Sequence, residues 1–566
     1  GGGGRIAIYY TTDTHDGTVS VYGSSLNAAK IASSGTVYEK DTGDSYGSLT
    51  IDNNGNLTTV STPLIDGIYN FKGFTATGRA DVLLSASDII NTETITLSAS
   101  STLHNTDATI TVTSAFTISN GAKYEQSQSA SITATAASFT AAAGAGPAFW
   151  DIHKDGTTPT FTSATIASGA ILTHSAHTTT HTYSLKLAVS GNMTVTGDIN
   201  VNGRGHSSTN GPGTPPNEGS NGTPGGASYG GLGTGGYNGA AGVVYGNQYA
   251  PVDLGSGGKH DSWMGGSGGA GGGAIKLNIT GTLTVNGSIL ANGMDSLISK
   301  GGSGGSGGSI WLEGNVITGS GAITANGGDG GIEGYSSRDG GAGGGGRIII
   351  YHTLTENLDG TITVAGGDGH NNGSASAGTL HRYATYGELV SSPYNTEDSA
   401  VLLDGIVWIE DATLPATTTV TLFLRTGSNQ ANLLAASWTE IASSTSDGLL
   451  TSGATKDTGT VTVASTTLPA AMKDGVDDQW IQYKVAITST TNLTPTITSI
   501  QINYISNSAP TFQSVTASQD SDGYVSITYA VLDSDTDSGS VQSGYATPSF
   551  QYSLDNGSTW AAITTG

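Results

Sequence analysis

Five aspartates near the end of the sequence are spaced as ligands for a hard cation. Asp520 and Asp522 stand in the run DSDG, and Asp533, Asp535 and Asp537 stand in the run DSDTD. Calcium prefers clusters of carboxylate and carbonyl oxygens. The sequence therefore predicts calcium at these five residues, and it predicts no other cofactor.

The second aspartate run departs from the calcium loop of an EF-hand. Gly539 lies one place later than the glycine of that loop, and Gly544 stands where the loop needs a bidentate glutamate. The alternative interpretation is an acidic, solvated turn at the edge of a domain.

Three histidines, His174, His177 and His181, form the only histidine cluster of the sequence. Imidazole is a ligand for zinc and other transition metals. Side chains alternate between the two faces of a strand, so His177 and His181 would share a face that His174 does not. We therefore expect histidines at the surface of a threonine-rich bend rather than a metal site.

The sequence does not repeat acidic and basic residues together in the way that acid and base catalysis would need. Asp16 and Asp359 each precede a glycine, which is typical of turns. Lys186 and Lys276 recur at one position of a repeat, but no acidic residue recurs beside them. The sequence predicts a protein that is not an enzyme.

The elements that carry these residues repeat along the chain. Four copies read SLKLAVSGNMTVTGDINVNGRG from Ser184, AIKLNITGTLTVNGSILANG from Ala274, SIWLEGNVITGSGAITANGG from Ser309 and RIIIYHTLTENLDGTITVAGG from Arg347. Apolar residues alternate with polar ones, which indicates strands. Three short strands and tight bends in each copy predict stacked coils of a parallel β-helix, because one coil cannot bury its apolar face alone.

Alternation also assigns the side chains that should face the core. In the first two copies they are Leu185, Leu187, Val189, Met193, Val195, Ile199, Val201, Ile275, Leu277, Ile279, Leu283, Val285 and Ile289. The outward positions hold Thr, Asn, Ser and Lys. Outward threonines such as Thr109, Thr111, Thr113, Thr194 and Thr196 also admit an ice-binding face, although threonine is a common strand residue.

Glycine-rich connections lie at 203–273, 301–308, 327–346 and 366–378, and several are written in triplets such as GGSGGSGGS. One interpretation is flexible linkers at one corner of the solenoid. The other is extended helices of three residues per turn, packed side by side. Glycine loses much entropy on ordering, so we expect these segments to form an ordered flank. None carries a phosphate-binding motif.

Composition narrows the class of protein. The 566 residues carry a net charge of −25, with 87 glycines and no cysteine. This charge argues against nucleic acid and against anionic membrane surfaces as partners. The sequence has no apolar run long enough to span a membrane. We expect an extracellular or cell-surface protein.

The fold class is expected to be all-β, in four parts. Residues 1–43 resemble the copy at 343–378, with Arg5 matching Arg347, and are expected to be the closing coil of an upstream solenoid. Residues 44–386 are expected to form the parallel β-helix with glycine-rich loops. Residues 387–506 are expected to form a jelly-roll-like β-sandwich. Residues 507–566 are expected to form an immunoglobulin-like module that is truncated. The expected sandwich core is Phe423, Trp408, Trp438, Trp480 and Tyr483.

One motif in the last part, SLDNGSTW from Ser553 to Trp560, resembles the Asp-box of sialidase propeller blades. That resemblance implies a structural hairpin in which Asp555 and Gly557 make the turn and Trp560 packs beneath it. It does not imply a sialidase, which also needs an arginine cluster.

The overall pattern resembles giant tandem-repeat adhesins and surface-fibre proteins of bacteria. It is carried by the glycine-looped copies, by the run WIQYKV with the closing TPTITSIQINY, and by the final module. This resemblance implies a structural or adhesive role, with other modules or copies of the protein, or surface glycans, as partners. The alternative is a carbohydrate-binding or carbohydrate-cleaving β-helix protein.

Overall fold

A computed structural model describes residues 2–24, 32–64, 66–216, 222–261, 265–296, 301–332, 338–384, 386–399, 401–446, 448–449, 453–474, 476–489, 493–505, 511–532 and 549–562. The protein is all-β, with 47% of its residues in strands and 3% in helices. It divides into two compact units, Gly1–Ala384 and Thr385–Gly566.

The described residues of the first unit form twenty-four strands and one short 3-10 helix, His370–Asn372. The strands are β1 Arg5–Tyr10, β2 Thr36–Asp41, β3 Ser48–Asp52, β4 Thr62–Pro63, β5 Ile68–Thr77, β6 Asp81–Leu84, β7 Ile89–Leu97, β8 Thr102–Asn105, β9 Thr109–Ser119, β10 Lys123–Gln126, β11 Ser131–Thr140, β12 Ala148–His153, β13 Thr160–Ile166, β14 Ile171–Thr173, β15 Tyr183–Val189, β16 Met193–Val195, β17 Asp198–Asn200, β18 Ala274–Val285, β19 Ser288–Leu290, β20 Ser309–Gly319, β21 Ala322–Thr324, β22 Arg347–Leu358, β23 Ile362–Thr363 and β24 Thr379–Ala384.

From β3 onward these strands stack in two parallel ladders. The first ladder runs β3, β5, β7, β9, β11, β13, β15 with β16, β18, β20, β22 and β24, and the second runs β4, β6, β8, β10, β12, β14, β17, β19, β21 and β23. At the start of the stack, β1 pairs parallel with β2, but β2 pairs antiparallel with β3. The chain therefore reverses its direction between β2 and β3, and the domain boundary expected after residue 43 stays a prediction.

Register across the ladders aligns identical positions of the repeats. Leu185 pairs with Ile275, Ile275 with Ile310, and Ile310 with Ile348. All the inward positions expected for the first two copies are at most 2% exposed, so that prediction is confirmed. Each such aliphatic side chain contributes roughly 1.5–3 kcal/mol when it is fully buried.

Aromatic side chains fill the core where the bends between strands are small. Trp150 is fully buried, and its ring centroid lies 4.9 Å from that of Tyr124 and 5.5 Å from that of Phe139. Its indole Nε1 donates a hydrogen bond to the carbonyl oxygen of Lys186 at 3.0 Å. The cluster thus ties β12 to the beginning of the repeated copies.

The glycine-rich segments form a buried layer, which we call the glycine layer: 255–259, 266–273, 291–294, 301–308, 327–331 and 339–346. In segment 301–308, residues three apart donate backbone hydrogen bonds to the same neighbouring segment. Ser303 and Ser306 donate to Lys259 and Ser256, Gly304 and Gly307 to Gly341 and Gly344, and Gly305 and Gly308 to Met294 and Ala291, at N···O distances of 2.7 to 3.0 Å.

Two further segments donate back to segment 301–308. The amides of Gly269 and Gly272 donate to Ser303 and Ser306, and those of Gly328 and Gly331 donate to Gly305 and Gly302. A repeat of three in the bonding is the period of an extended threefold helix. The bonding favours the interpretation of packed helices over that of flexible linkers.

Serine at every third position completes this pattern. The hydroxyls of Ser303 and Ser306 accept hydrogen bonds from the amides of Lys259 and Ser256, at 2.7 Å and 2.8 Å. Both serines are fully buried. In each GGS triplet the two glycines therefore pack against the backbones of two neighbouring segments. The serine hydroxyl bonds to a third segment.

The second unit begins with ten strands, one α-helix and two 3-10 helices. They are β25 Tyr386–Val390, β26 Tyr394–Asn395, β27 Leu402–Glu410, β28 Thr418–Gly427, α1 Gln430–Ala435, β29 Thr439–Thr445, β30 Gly448–Leu449, β31 Ala454–Asp457, β32 Thr460–Ala464, the 3-10 helices Ser465–Thr467 and Ala470–Met472, β33 Trp480–Ser489 and β34 Ile497–Ile505. The strands form two antiparallel sheets, β25-β33-β28-β29-β30 with β26 beside β33, and β31-β32-β27-β34. Both sheets contribute to one apolar core.

The expected aromatic core of this unit is only partly correct. Trp408 lies in the core and is 1% exposed, and the partly buried Tyr483 packs against that core. Trp438, Trp480 and Phe423 are partly exposed and do not belong to the core. The guanidinium of Arg425 lies 4.3 Å from the Trp438 ring centroid, and the Lys484 ammonium lies 4.6 Å from that of Phe423. Cations cover these two rings on the outer face of the sheet, whereas aliphatic side chains such as Leu422 and Val485 fill the core.

Beyond the two sheets lie two antiparallel strand pairs. They are β35 Thr511–Gln519 with β36 Val525–Leu532, and β37 Gln551–Tyr552 with β38 Ala561–Ala562. In the part of the chain that the structure describes, no helix has the length and apolar character needed to cross a bilayer.

Candidate functional site

The aspartates expected to bind calcium are only partly placed. Asp533, Asp535 and Asp537 lie outside the described residues. Asp520 and Asp522 lie in the turn between β35 and β36, where Oδ1 of Asp520 accepts hydrogen bonds from the amides of Asp522 and Tyr524, at 3.0 Å and 2.9 Å. Asp520 thus closes its own turn, and calcium at the five aspartates stays a prediction.

The Asp-box motif forms a turn stabilised by its own side chains. The Asp555 carboxylate accepts hydrogen bonds from the Thr559 amide at 2.8 Å and from the Thr559 hydroxyl at 2.6 Å. These bonds lower the pKa of Asp555 to about 2. Trp560 is 61% exposed, and its Cζ2 lies 3.9 Å from the position of a Cβ built at Gly557, so the ring lies beside the turn without being buried by it.

The three histidines lie inside the first unit, and the expectation of surface histidines is wrong. His174 is fully buried and His177 is 6% exposed. Their ring centroids are 5.4 Å apart, and that of His181 lies 5.6 Å beyond His177. His206, which pairs with His177 across a parallel bridge, extends the cluster. Sequence spacing could not reveal this, because the chain folds back between residues 177 and 206.

Backbone groups fix the tautomers of these buried rings. The Ala274 amide donates to Nε2 of His174 at 3.1 Å, so Nδ1 carries the proton and donates to the Ser175 carbonyl at 2.8 Å. In the same way Tyr183 donates to Nε2 of His177, whose Nδ1 donates to the Arg204 carbonyl. Both ring nitrogens of His174 and of His177 are therefore used. Among the described residues no group of three or more His, Cys, Asp or Glu could hold a metal ion.

We expect these histidines to make the first unit sensitive to acid. Burial lowers the pKa of His174 to about 3, and burial with repulsion from His177 lowers that of His181 to about 3. An unfolded histidine titrates near about 6.5. As the pH falls from about 6.5 toward about 3, the unfolded chain binds protons that the folded chain does not bind, so stability is lost in that window.

The measurement is urea unfolding between pH 6.5 and pH 4.5, in which His174 alone should contribute roughly 1.4 kcal/mol per pH unit to the slope. His174→Asn keeps a donor for the Ser175 carbonyl but does not titrate, so the slope should decrease. His15→Asn alters an exposed histidine and should leave the slope unchanged. An equal slope in His174→Asn and in the unaltered protein would contradict the assignment.

A row of ionisable side chains crosses the second ladder, and we call it the charged ladder: Asp81, His104, Lys123, Glu125 and Asp151. It lies on the outward positions of β6, β8, β10 and β12, and the register pairs His104 with Glu125 and Glu125 with Asp151. The Lys123 ammonium lies 2.9 Å from Glu125 and 2.8 Å from Asp151. His104 lies 3.4 Å from Asp81 through Nε2 and 3.5 Å from Glu125 through Nδ1.

Neutral groups donate further hydrogen bonds to the Glu125 and Asp151 carboxylates. The Tyr183 hydroxyl donates to Glu125 at 2.7 Å. The Ser175 amide and hydroxyl each donate to Asp151 at 2.6 Å. Asp151 is fully buried, so these bonds and the Lys123 ammonium replace the water that a carboxylate otherwise requires.

Electrostatics keep Glu125, His104 and Lys123 ionised at neutral pH. The hydrogen bond from His104, and then those from Lys123 and Tyr183, hold the pKa of Glu125 well below its usual range against the effect of burial. Hydrogen bonds to Asp81 and Glu125 raise the pKa of His104 to about 9. Burial disfavours charged Lys123, but the Asp151 and Glu125 carboxylates raise its pKa overall.

This arrangement links successive strands of the stack rather than holding a free base. A general base needs a pKa near the working pH, whereas Glu125 is stably ionised and accepts from several donors. Sequence reasoning missed the charged ladder. Its signal is the spacing between successive strands of the second ladder, since His104 follows Asp81 by 23 residues and Glu125 follows His104 by 21.

A threonine-lined groove of about 650 Å³ lies on the first ladder. Thr111 pairs with Thr133 and Thr133 with Thr160, so their hydroxyls recur on neighbouring strands. None of the residues that line the groove is ionisable. Such a surface recognises a ligand through hydrogen bonds and shape.

No family model, no curated protein and no solved structure matches the chain. Any proposal about its function therefore rests on the chemistry of its own residues.

Proposed function

We propose that this chain is an extracellular structural and adhesive segment of a large repeat-containing bacterial surface or fibre protein. In this proposal the first unit is a parallel β-helix, and the second is a jelly-roll-like sandwich followed by an immunoglobulin-like module. The observation that carries the proposal is the glycine layer, in which six segments bond to one another with a period of three. An ordered layer of this kind stiffens a solenoid that flexible loops would leave compliant.

Three sets of hydrogen bonds support a load-bearing role for the first unit. The two ladders bond each coil to the next, and the glycine layer bonds segments from different copies. A typical hydrogen bond contributes only about 0.5–1.5 kcal/mol, so stiffness comes from many bonds acting together. The charged ladder adds side-chain links between β6, β8, β10 and β12.

Adhesion is the second part of the proposal. Copies of the protein, neighbouring modules and surface glycans are the proposed partners. The threonine-lined groove offers hydroxyl groups without charge, which suits a hydroxyl-rich ligand. The same groove favours the second candidate function, a carbohydrate-binding β-helix protein.

Location on the cell surface is tested with antibodies raised against the chain. They should label intact cells that make the protein, and protease added outside the cells should remove the label. An antibody against a cytoplasmic protein serves as the control and should label permeabilised cells only. Labelling that requires permeabilisation would contradict the proposal.

Order in the glycine layer is expected to appear in hydrogen exchange. The amides of Gly304, Gly305, Gly307 and Gly308 are bonded to backbone carbonyls, and they should exchange as slowly as those of the strand β18. The exposed amide of Gly146 provides a fast reference. Exchange of the four layer amides at the rate of an unstructured peptide would show flexible corners and remove the main support for stiffness.

A further inference from the structure

A pocket of about 400 Å³ lies beside the first strands of two repeated copies, and we call it the Lys276 pocket. Its floor is formed by Ser184 and Lys186 of β15 and by Ala274–Lys276 of β18. Residues 251–254 also line it. A volume of this size is typical of sites for small ligands.

Two ammonium groups stand on neighbouring strands at this floor. Lys186 pairs directly with Lys276 in the ladder, as the repeat predicts. The Lys186 ammonium donates to the carbonyl oxygens of Lys154 and Gly156, at 3.0 Å and 2.7 Å, which fixes its position. The Lys276 ammonium lies 3.4 Å from the Trp311 ring centroid and has no carboxylate partner among the described residues.

One carboxylate of the lining has no hydrogen-bond partner among the described residues. The half-buried Asp253 carboxylate accepts no hydrogen bond within the described chain, although its backbone carbonyl accepts one from Ser309. His206 also lines the pocket, but its Nδ1 is buried away from the open space. Asp253 is therefore the group that can accept hydrogen bonds from a ligand.

Part of the remaining lining is apolar and consists of Pro212, Pro251, Val252 and Leu254. The Lys154–Asp155 ion pair, His181 and Tyr245 supply the polar part. A ligand that fits must therefore combine one anionic group for the lysines, hydroxyls for Asp253, and a face of C–H bonds. A phosphate dianion lacks the apolar face and would be repelled by Asp253, whereas a neutral hexose would leave both lysines without a counter-ion.

We propose that the Lys276 pocket binds a sugar acid, a pyranose that carries one carboxylate. The carboxylate lies between Lys186 and Lys276, two hydroxyls donate to the Asp253 carboxylate, and the pyranose C–H face packs on Pro251 and Val252. This site goes beyond the proposed structural role and does not depend on where the protein is located.

The test is a titration of the full chain with D-glucuronate and D-galacturonate, followed by saturation-transfer NMR. Glucose, galactose and acetate are the comparison ligands. At least one uronate should bind at a single site, about tenfold or more tighter than the matching neutral sugar and than acetate. Failure of both uronates to bind, or equal binding of acetate, would overturn the proposal.

Two variants separate the parts of the recognition. Lys276→Met keeps most of the aliphatic stem and should lower uronate affinity at least tenfold while affinity for the neutral sugar is unchanged. Asp253→Asn should weaken both sugars by a similar factor. The control Lys72→Met makes the same change in net charge at an exposed ion pair with Asp44 and should bind as the unaltered chain does.

Unfolding midpoints of all variants show whether each one is folded. A folded Lys276→Met protein that binds uronate with unaltered affinity would refute the site.

Discussion

Replacement of Gly305 by alanine is expected to destabilise the first unit by about 3 kcal/mol, at the upper end of typical overpacking costs. A Cβ atom at Gly305 would lie 2.2 Å from the carbonyl oxygen of Ala270 and 2.9 Å from that of Gly269. Both are backbone atoms of a neighbouring segment, which cannot rotate away as a side chain can. Gly305 also donates to Met294 and accepts from Gly328, so its own backbone is held on two sides.

Gly146→Ala is the matched control for this substitution. Gly146 is exposed, and no atom lies within 4 Å of the position of its added Cβ. Its effect should stay within about 0.5 kcal/mol. Hydrogen exchange in increasing urea reports on the two units separately, and equal unfolding of the Gly305→Ala and Gly146→Ala first units would contradict close packing in the glycine layer.

Removal of the Lys123 ammonium from the charged ladder is expected to destabilise the first unit about as much as Gly305→Ala does. Lys123→Met leaves the fully buried Asp151 without its counter-ion, and breaking such a pair costs about 3–5 kcal/mol. The two bonds from Ser175 still stabilise the Asp151 carboxylate, which places the expected loss near 3 kcal/mol. Chemical denaturation at pH 7 measures this loss.

An exposed ion pair provides the control for Lys123→Met. The side chains of Lys72 and Asp44 are 50% and 35% exposed at a separation of 2.8 Å, and such pairs typically contribute about 0–1 kcal/mol. Lys72→Met should therefore change stability little. The double variant Lys123→Met with Asp151→Asn should recover part of the loss, because it removes the unpaired buried charge. A double variant with fully additive losses would count against the ion pair.

Alternation and repetition made part of the first unit predictable. Leu185, Ile275 and the other inward residues could be assigned because side chains on a strand alternate with a period of two. The pairing of Lys186 with Lys276 followed from the alignment of two copies. Both inferences need only local sequence and the assumption that equal copies stack in register.

The charged ladder and the buried histidines could not be predicted in the same way. Lys123 meets Asp151, and Tyr183 meets Glu125 at a distance of 58 residues along the chain. In this region the spacing between paired strands varies and the sequences have little in common, so no repeat indicates which positions face each other. His174 is polar by type, yet its burial depends on the amide of Ala274, which is one hundred residues away.

In the two sheets of the second unit, residue type alone does not predict which aromatic side chains are buried. Trp438 and Phe423 carry large apolar rings, which favour the core in a sequence-based interpretation. Arg425 and Lys484 occupy positions over these rings on the outer face. Sequence alone does not distinguish a ring beneath a cation from a ring in the core when both lie on strands.

The bonding partners of segment 301–308 have a consequence for the order in which the chain folds. They begin at Ser256 and Lys259, upstream of the segment, and extend to Gly341 and Gly344, downstream of it. The segment cannot reach its final set of bonds until the downstream copy has left the ribosome and closed on the stack. Contacts between distant residues slow folding, so we expect the glycine layer to complete last, after the ladders on which it rests.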